Sequence, residues 1–189
     1  MAVLKKEHLP EYTFGDYQQW QGDWELIEGI PFAMAPAPAK IHQMLVGYIF
    51  SEIASKMDDC PDCEILIDED WKLDSNTVLK PDVCVVCNDD NPSYITKTPE
   101  IIFEVLSPST AKRDEGLKFE CYQEEGVKYY ILVYPDDLVA KVYKHDGEGL
   151  GKVAECDTET FSFGEVTCPF IFDFSTIFKR FRNYHDRID

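Results

Sequence analysis

Two carboxylates stand where a folded chain would not ordinarily place them. Glu104 lies inside Ile101-Ile102-Phe103-Glu104-Val105-Leu106, a run that is apolar on both faces of a strand. An ionised carboxylate there is costly unless it is paired, hydrogen-bonded or bound to a cation. Asp82 raises the same question at the entrance of Val83-Cys84-Val85-Val86. The segment between the two runs, 88–99, is too short for a comfortable crossover helix, so the strands are expected to be antiparallel neighbours. That pairing sets the start of one beside the end of the other and brings Asp82 and Glu104 together. Two carboxylates sharing one polar spot repel each other unless a cation or a proton lies between them. Oxygen ligands with room for water favour Mg2+ or Mn2+.

Lys118 follows on an expected helix that starts at Ser107-Pro108-Ser109-Thr110. A lysine beside such a site would orient a water nucleophile and stabilise charge on a phosphorane-like transition state. The helix N-terminus suits a phosphate, and Lys112 and Arg113 add positive charge at that end. Plainer readings stand beside these. Asp82 fits a strand-entry carboxylate bonded to backbone amides, and Lys118 with Asp114 fits a surface helix ion pair. Alternation in Trp24-Glu25-Leu26-Ile27-Glu28 can turn Glu25 outward, and His42 fits a structural role. The acidic run Asp68-Glu69-Asp70 reads best as a charged strand edge.

The seven cysteines are an odd count, and Cys84, Cys87 and Cys121 sit in apolar runs. That pattern reads as reduced, buried thiols rather than a disulfide framework. Cys60-x-x-Cys63 and Cys84-x-x-Cys87 have zinc-ribbon spacing. Cys84-Val85-Val86-Cys87 reads as extended strand, however, where residues three apart face opposite ways, so these four sulfurs are not expected to converge.

The elements that must position these groups form an α/β (α+β) pattern. Residues 12–22 suit a short polar helix or turn, and 24–36 a hairpin turning at Glu28-Gly29, after which Pro36 and Pro38 break the chain. From Ile41 the apolar spacing at Leu45, Ile49 and Ile53 predicts a helix ending near Asp58. Strands follow over 64–73, 78–87 and 100–106, then a helix to Gly126, then strands over 128–135 and 138–145. Residues 160–167 alternate like an edge strand. The aromatic tail, 170–181, demands burial on the core or on a second subunit.

At 189 residues and 44% hydrophobic content, the chain suits one domain with a real core. No apolar run approaches a membrane span and the N-terminus lacks a signal-like stretch, so the cytoplasm is the expected location. The net charge of -18 argues against loose electrostatic binding to a polyanion.

Asp82, Glu104 and Lys118, with Pro81-Asp82 and the segment 103–110, resemble the PD-(D/E)XK nuclease superfamily. Within it the chain resembles the Uma-type family of restriction-endonuclease-like proteins. The matching stretches are 12–20, 24–43, 80–86, 103–135 and, loosely, 170–178. The resemblance implies a restriction-endonuclease-like core and a metal-dependent endonuclease acting on nucleic acid, with DNA the expected substrate. It implies Mg2+ or Mn2+ held by Asp82 and Glu104, assistance from a lysine, a role for Glu25 nearby, and a homodimer. Two departures stand out. Leu106 occupies the superfamily's lysine position, so the resemblance assigns that role to Lys118, and Ile30 replaces an acid after the hairpin glycine. Leu106, the net charge and the aromatic tail also suit a second class, a catalytically inactive dimeric interaction protein on the same fold.

Overall fold

The computed structural model describes residues 10–34 and 39–185; Pro36 and Pro38 lie outside them. Thr13 and Asp16 form a capping box on a single helical turn, α1 (Phe14–Tyr17). The hairpin β1 (Trp24–Ile27) and β2 (Ile30–Ala33) turns at Glu28 and Gly29, with φ of 49° and 76°. Positive φ at both central residues is what a two-residue turn between right-twisted strands requires. Helix α2 (Lys40–Ala54) buries Leu45, Val46, Ile49 and Ile53, the stripe that the spacing predicts.

The predicted strands 64–73 and 78–87 are each interrupted. Together they form one long hairpin with a broken waist. Its base is β3 (Cys63–Ile67) against β6 (Val83–Cys87), and its tip is β4 (Trp71–Lys72) against β5 (Val78–Leu79), in a different sheet. At the waist Asp68 is left-handed (φ 53°), and its N–H approaches the carbonyls of Pro81 (3.2 Å) and Asp82 (3.3 Å). Pro81 has no N–H to return to the ladder, so regular pairing stops there.

The chain then runs through β7 (Ile101–Val105), α3 (Ala111–Asp114), α4 (Leu117–Glu124), β8 (Tyr129–Tyr134), β9 (Val139–His145), β10 (Leu150–Cys156), β11 (Thr160–Phe163), β12 (Phe170–Asp173) and α5 (Phe174–His185). The central sheet has the order β10-β9-β8-β7-β6-β3, with β7 and β8 parallel and the other pairs antiparallel. The single helix expected after Ser107 is two helices, because Gly116 leaves helical geometry (φ -121°, ψ -95°). A Cβ on Gly116 would lie 2.9 Å from the Lys112 carbonyl oxygen, too close for any other residue without a shift. Strand β10 was not anticipated. Most of its side chains are exposed, so it carries little apolar alternation.

The aromatic tail packs on the chain's own core. Phe172, Phe174, Ile177 and Phe178 are fully buried, and Phe172 lies 5.2 Å from Phe103, ring centroid to ring centroid. Each such ring contributes on the order of 2–3 kcal/mol of burial free energy.

Two cysteine pairs correct the expectation of reduced, buried thiols rather than a disulfide framework, and three of those four cysteines are only half-buried. The sulfur atoms of Cys60 and Cys168 meet, as do those of Cys63 and Cys87, whereas Cys84, Cys121 and Cys156 are free. Strand register sets Cys63 opposite Cys87, and Glu100 fixes the approach of the later segment. Its carboxylate accepts from the Thr167 N–H (2.7 Å), the Thr167 hydroxyl (2.9 Å) and Lys128 Nζ (2.6 Å).

Burial acts to raise the Glu100 pKa, but the Lys128 and Thr167 donors prevail and hold it below the usual glutamate value. A depressed folded-state pKa stabilises above the unfolded value, and that contribution is lost as pH falls through the folded one. Glu100→Gln is therefore expected to lower unfolding free energy near neutral pH by about 1–3 kcal/mol. Urea unfolding of both proteins across a pH series should show the difference shrinking below the ordinary glutamate range.

Candidate metal centre

Strands β6 and β7 pair Val83 with Phe103, Cys84 with Ile102 and Val85 with Ile101. Extending that register by one residue sets Asp82 opposite Glu104, as antiparallel neighbours require. Asp82 Oδ2 accepts from the Val105 N–H (2.7 Å) and lies 3.1 Å from His42 Nε2, so α2 and β7 together orient it. Glu104 is 2% exposed, and its Oε1 receives the Tyr122 hydroxyl (2.8 Å) and Lys118 Nζ (2.5 Å).

Lys118, also 2% exposed, is held from several sides. Besides Glu104, its ammonium lies 3.0 Å from Glu25 Oε1 and 3.9 Å from Asp114 Oδ1, and it donates to the Lys80 carbonyl (3.2 Å). Leu106, in the superfamily's lysine position, is buried in the hydrophobic cluster that includes Tyr122 and Tyr130. Helix α4 thus delivers to Glu104 the ammonium that β7 does not.

Glu25 is wholly buried, and its Oε1 also accepts from the Lys80 N–H (3.1 Å). Its Oε2 lies 3.2 Å from Arg113 Nε, yet the two are misaligned, and each is left without a hydrogen bond among the described residues. The contact is an ion pair without a hydrogen bond. The geometry puts Glu25 behind Lys118, outside the cleft wall.

The electrostatics follow from the crowding. Burial pushes the Glu104 pKa well up, Lys118 opposes it, and Asp82 and Asp114 push further. Burial likewise raises Asp114 against the pull of Lys118. For Lys118, burial alone would lower the pKa, but Glu104, Glu25 and Asp114 outweigh it, so the amine stays protonated. Burial also works against a charged His42, and its contact with Asp82 prevails and raises it.

These groups border a cleft of about 520 Å³. Among the described residues, Asp23, Asp68, Asp82, Glu104 and Asp114 line it together with Lys118 and Arg113, and Lys80 Nζ lies 3.6 Å from Asp23 and 3.9 Å from Asp68. The contacts described for Asp82 fall on Oδ2 and those for Glu104 on Oε1, which leaves a second oxygen of each for a ligand. An all-oxygen donor set in acidic surroundings fits a hard divalent cation.

The structure therefore brings Asp82, Glu104 and Lys118 to one site, with Glu25 one layer behind. One plainer reading gives way, because Lys118 and Asp114 are buried rather than a surface pair. Others keep their place: Asp82 is bonded to the Val105 N–H at the strand entry, His42 holds Asp82, and Asp68 is an exposed residue just past the end of β3 that also borders the cleft. Asp114 went unnoticed as a site residue, although its place four residues before Lys118 was the available signal. The segment 107–110 leads into one helical turn only, with Ser107 Oγ bonded to Ser109 (2.9 Å) and Thr110 (3.0 Å), so the expected long-helix N-terminus is absent.

Removing the cation from this cluster leaves buried acids without compensation. Lys118→Met is expected to cost roughly 3–5 kcal/mol. Adding Glu104→Gln should recover part of that loss, because one stranded charge disappears. Urea unfolding of the two single variants and the double, without divalent ions, measures the coupling; strict additivity would contradict it.

Comparison with known proteins bears on the family and the fold. An uncharacterized protein, slr1290, of Synechocystis sp. is 27% identical over 151 residues, covering 75% of this chain and 78% of that protein. A crystal structure described as a putative nuclease belonging to DUF820, from Anabaena variabilis ATCC 29413, aligns with a TM-score of 0.70 at 16% identity. That alignment covers 88% of this chain and 97% of the other, so the two share a mixed α/β fold. Residues 14–167 match the model of the Uma2 family, described as "Putative restriction endonuclease". With that match spanning most of the sequence, from α1 to the loop before β12, the chain belongs to the Uma2 family of restriction-endonuclease-like proteins.

Proposed function

We propose that this chain is a metal-dependent endonuclease that hydrolyses phosphodiester bonds in nucleic acid, with DNA as the substrate. The observation that carries the reading is the convergence of Asp82 and Glu104 on one cleft, with Lys118 Nζ 2.5 Å from Glu104. Asp82 and Glu104 would hold Mg2+ or Mn2+, which when bound supplies Lewis-acid polarisation of a phosphoryl oxygen. Lys118 is fixed as an ammonium, so it acts as a charge donor and water-orienting group rather than a base. Glu25 and the Lys80 carbonyl are positioning groups that hold Lys118 Nζ in place. His42 and the Val105 N–H do the same for Asp82.

The charge pattern supports the need for a cation. Among the described residues, acids outnumber the cations Lys118, Arg113 and the adjacent Lys80 at this cleft, so a phosphodiester entering it meets repulsion that a bound divalent cation would offset. DNA binding should therefore depend on divalent ions.

Incubation of plasmid DNA with the protein should give cleavage with Mg2+ or Mn2+ and none with EDTA. Asp82→Ala and Glu104→Ala should abolish it. Glu25→Gln should retain metal binding and lose activity by about 10–100-fold, as expected for a group that orients another. A wild type that neither cuts nor binds DNA with either ion would favour the non-catalytic interaction protein instead.

A further inference from the structure

The end of the β3–β6 pair opposite Asp82 carries a second cluster of metal-type ligands. It lies about five residues along the strand from Asp82, on the order of 16 Å. Cys60-Pro61-Asp62-Cys63 is a tight turn in which the Cys63 N–H approaches the Cys60 carbonyl (3.4 Å). Cys87 stands directly across the ladder from Cys63. Cys168 arrives from the loop between β11 and β12, and its sulfur lies 3.6 Å from that of Cys63. The sulfurs of Cys60, Cys63 and Cys168 all lie within 4.8 Å of one another; Cys87 stands outside that trio and reaches it through its contact with Cys63.

Taken pair by pair, the contacts Cys60–Cys168 and Cys63–Cys87 describe two disulfides. Three features favour one shared centre. The pairs are not independent: the 3.6 Å between Cys63 and Cys168 is near the ~3.8 Å edge of a thiolate tetrahedron built on Zn–S bonds of about 2.3 Å. The Cα atoms of Cys63 and Cys87 are 3.9 Å apart, closer than the roughly 4.4–6.8 Å that disulfides span. The Cys-x-x-Cys turn, finally, is the ligand pair that zinc knuckles use.

An independent tether brings Cys168 to this place. Glu100 binds the adjacent Thr167 by backbone and side chain, and its Oε2 lies 3.8 Å from Cys87 Sγ. Cys84, which spacing alone would pair with Cys87, is buried in the cluster on the other face of the sheet. The ligand it fails to supply comes from Cys168 instead.

We propose that Cys60, Cys63, Cys87 and Cys168 form a tetrathiolate site for a structural zinc ion that clamps the β11–β12 loop to the β3–β6 hairpin. Zinc is the divalent ion that a closed, all-sulfur donor set selects, so this site is distinct in ligand chemistry from the carboxylate cleft. Its place in the fold ties down the segment that leads into β12 and the aromatic helix α5.

The full-length chain, purified under reductant and desalted, should carry about one zinc per chain by elemental analysis. Cys168→Ser should retain less than about a tenth of that zinc and melt on the order of 10 °C lower. Cys84→Ser and Asp82→Ala should retain the zinc, which separates this site from the free thiols and from the carboxylate cleft. Should Cys168→Ser fail to fold, cobalt titration of the reduced wild type carries the test, through thiolate charge-transfer and tetrahedral ligand-field bands. A reduced wild type with neither zinc nor those cobalt bands would overturn the proposal. So would disulfide-linked peptide pairs, Cys60 with Cys168 and Cys63 with Cys87, in protein alkylated at lysis.

Discussion

A lysine ammonium with only 2% of its residue surface exposed has lost nearly all its hydration, and opposing charge at short range must offset that loss. Lys118 meets this condition through Glu104, Glu25 and Asp114, which come from β7, β1 and α3. The same contacts couple three parts of the fold, so the site and the packing cannot be altered separately. The compensation is also lopsided. With Asp82 included, four carboxylates surround Lys118 and Arg113. Burial raises the pKa of both Glu104 and Asp114 against that background. A proton or an added cation must make up the difference.

The backbone supplies this arrangement by breaking its own regularity. The long hairpin stops pairing at its waist, where Pro81 lacks an N–H and Asp68 adopts a left-handed conformation. Asp82 leaves the ladder at that break while keeping its place opposite Glu104, and its carboxylate caps the Val105 N–H. On the other side, Gly116 breaks the helix after β7 and restarts it as α4, which carries Lys118 and Tyr122 over Glu104. Each break costs local hydrogen bonding and places one charged side chain at the cleft.

What could be read in advance was local. The Glu28-Gly29 turn, the apolar stripe of α2 and the antiparallel β6–β7 pair follow from short-range spacing, and all three are present. Glu104 stood out because a carboxylate in a doubly apolar run needs a reason. The hidden features depend on distant partners. Asp114 has a local signal in Lys118 four residues on, but its burial depends on the cleft around the pair. Cys168 lies more than a hundred residues from Cys63, so no spacing rule joins them. Residues 64–73 and 78–87 read as continuous strands because their apolar content hides the waist. Leu106 leaves β7 without a lysine, and the geometry behind the resemblance's assignment to Lys118 depends on α4, which brings that ammonium to Glu104.

The central claim is that Asp82 and Glu104 together form a divalent-cation site. Calorimetric titration of Mn2+ into the wild type, Asp82→Ala and Glu104→Ala, with folding checked by near-ultraviolet circular dichroism, tests it most directly. The account predicts saturable binding in the wild type and none in either folded variant. No binding in the wild type, or equal binding in all three, would contradict it.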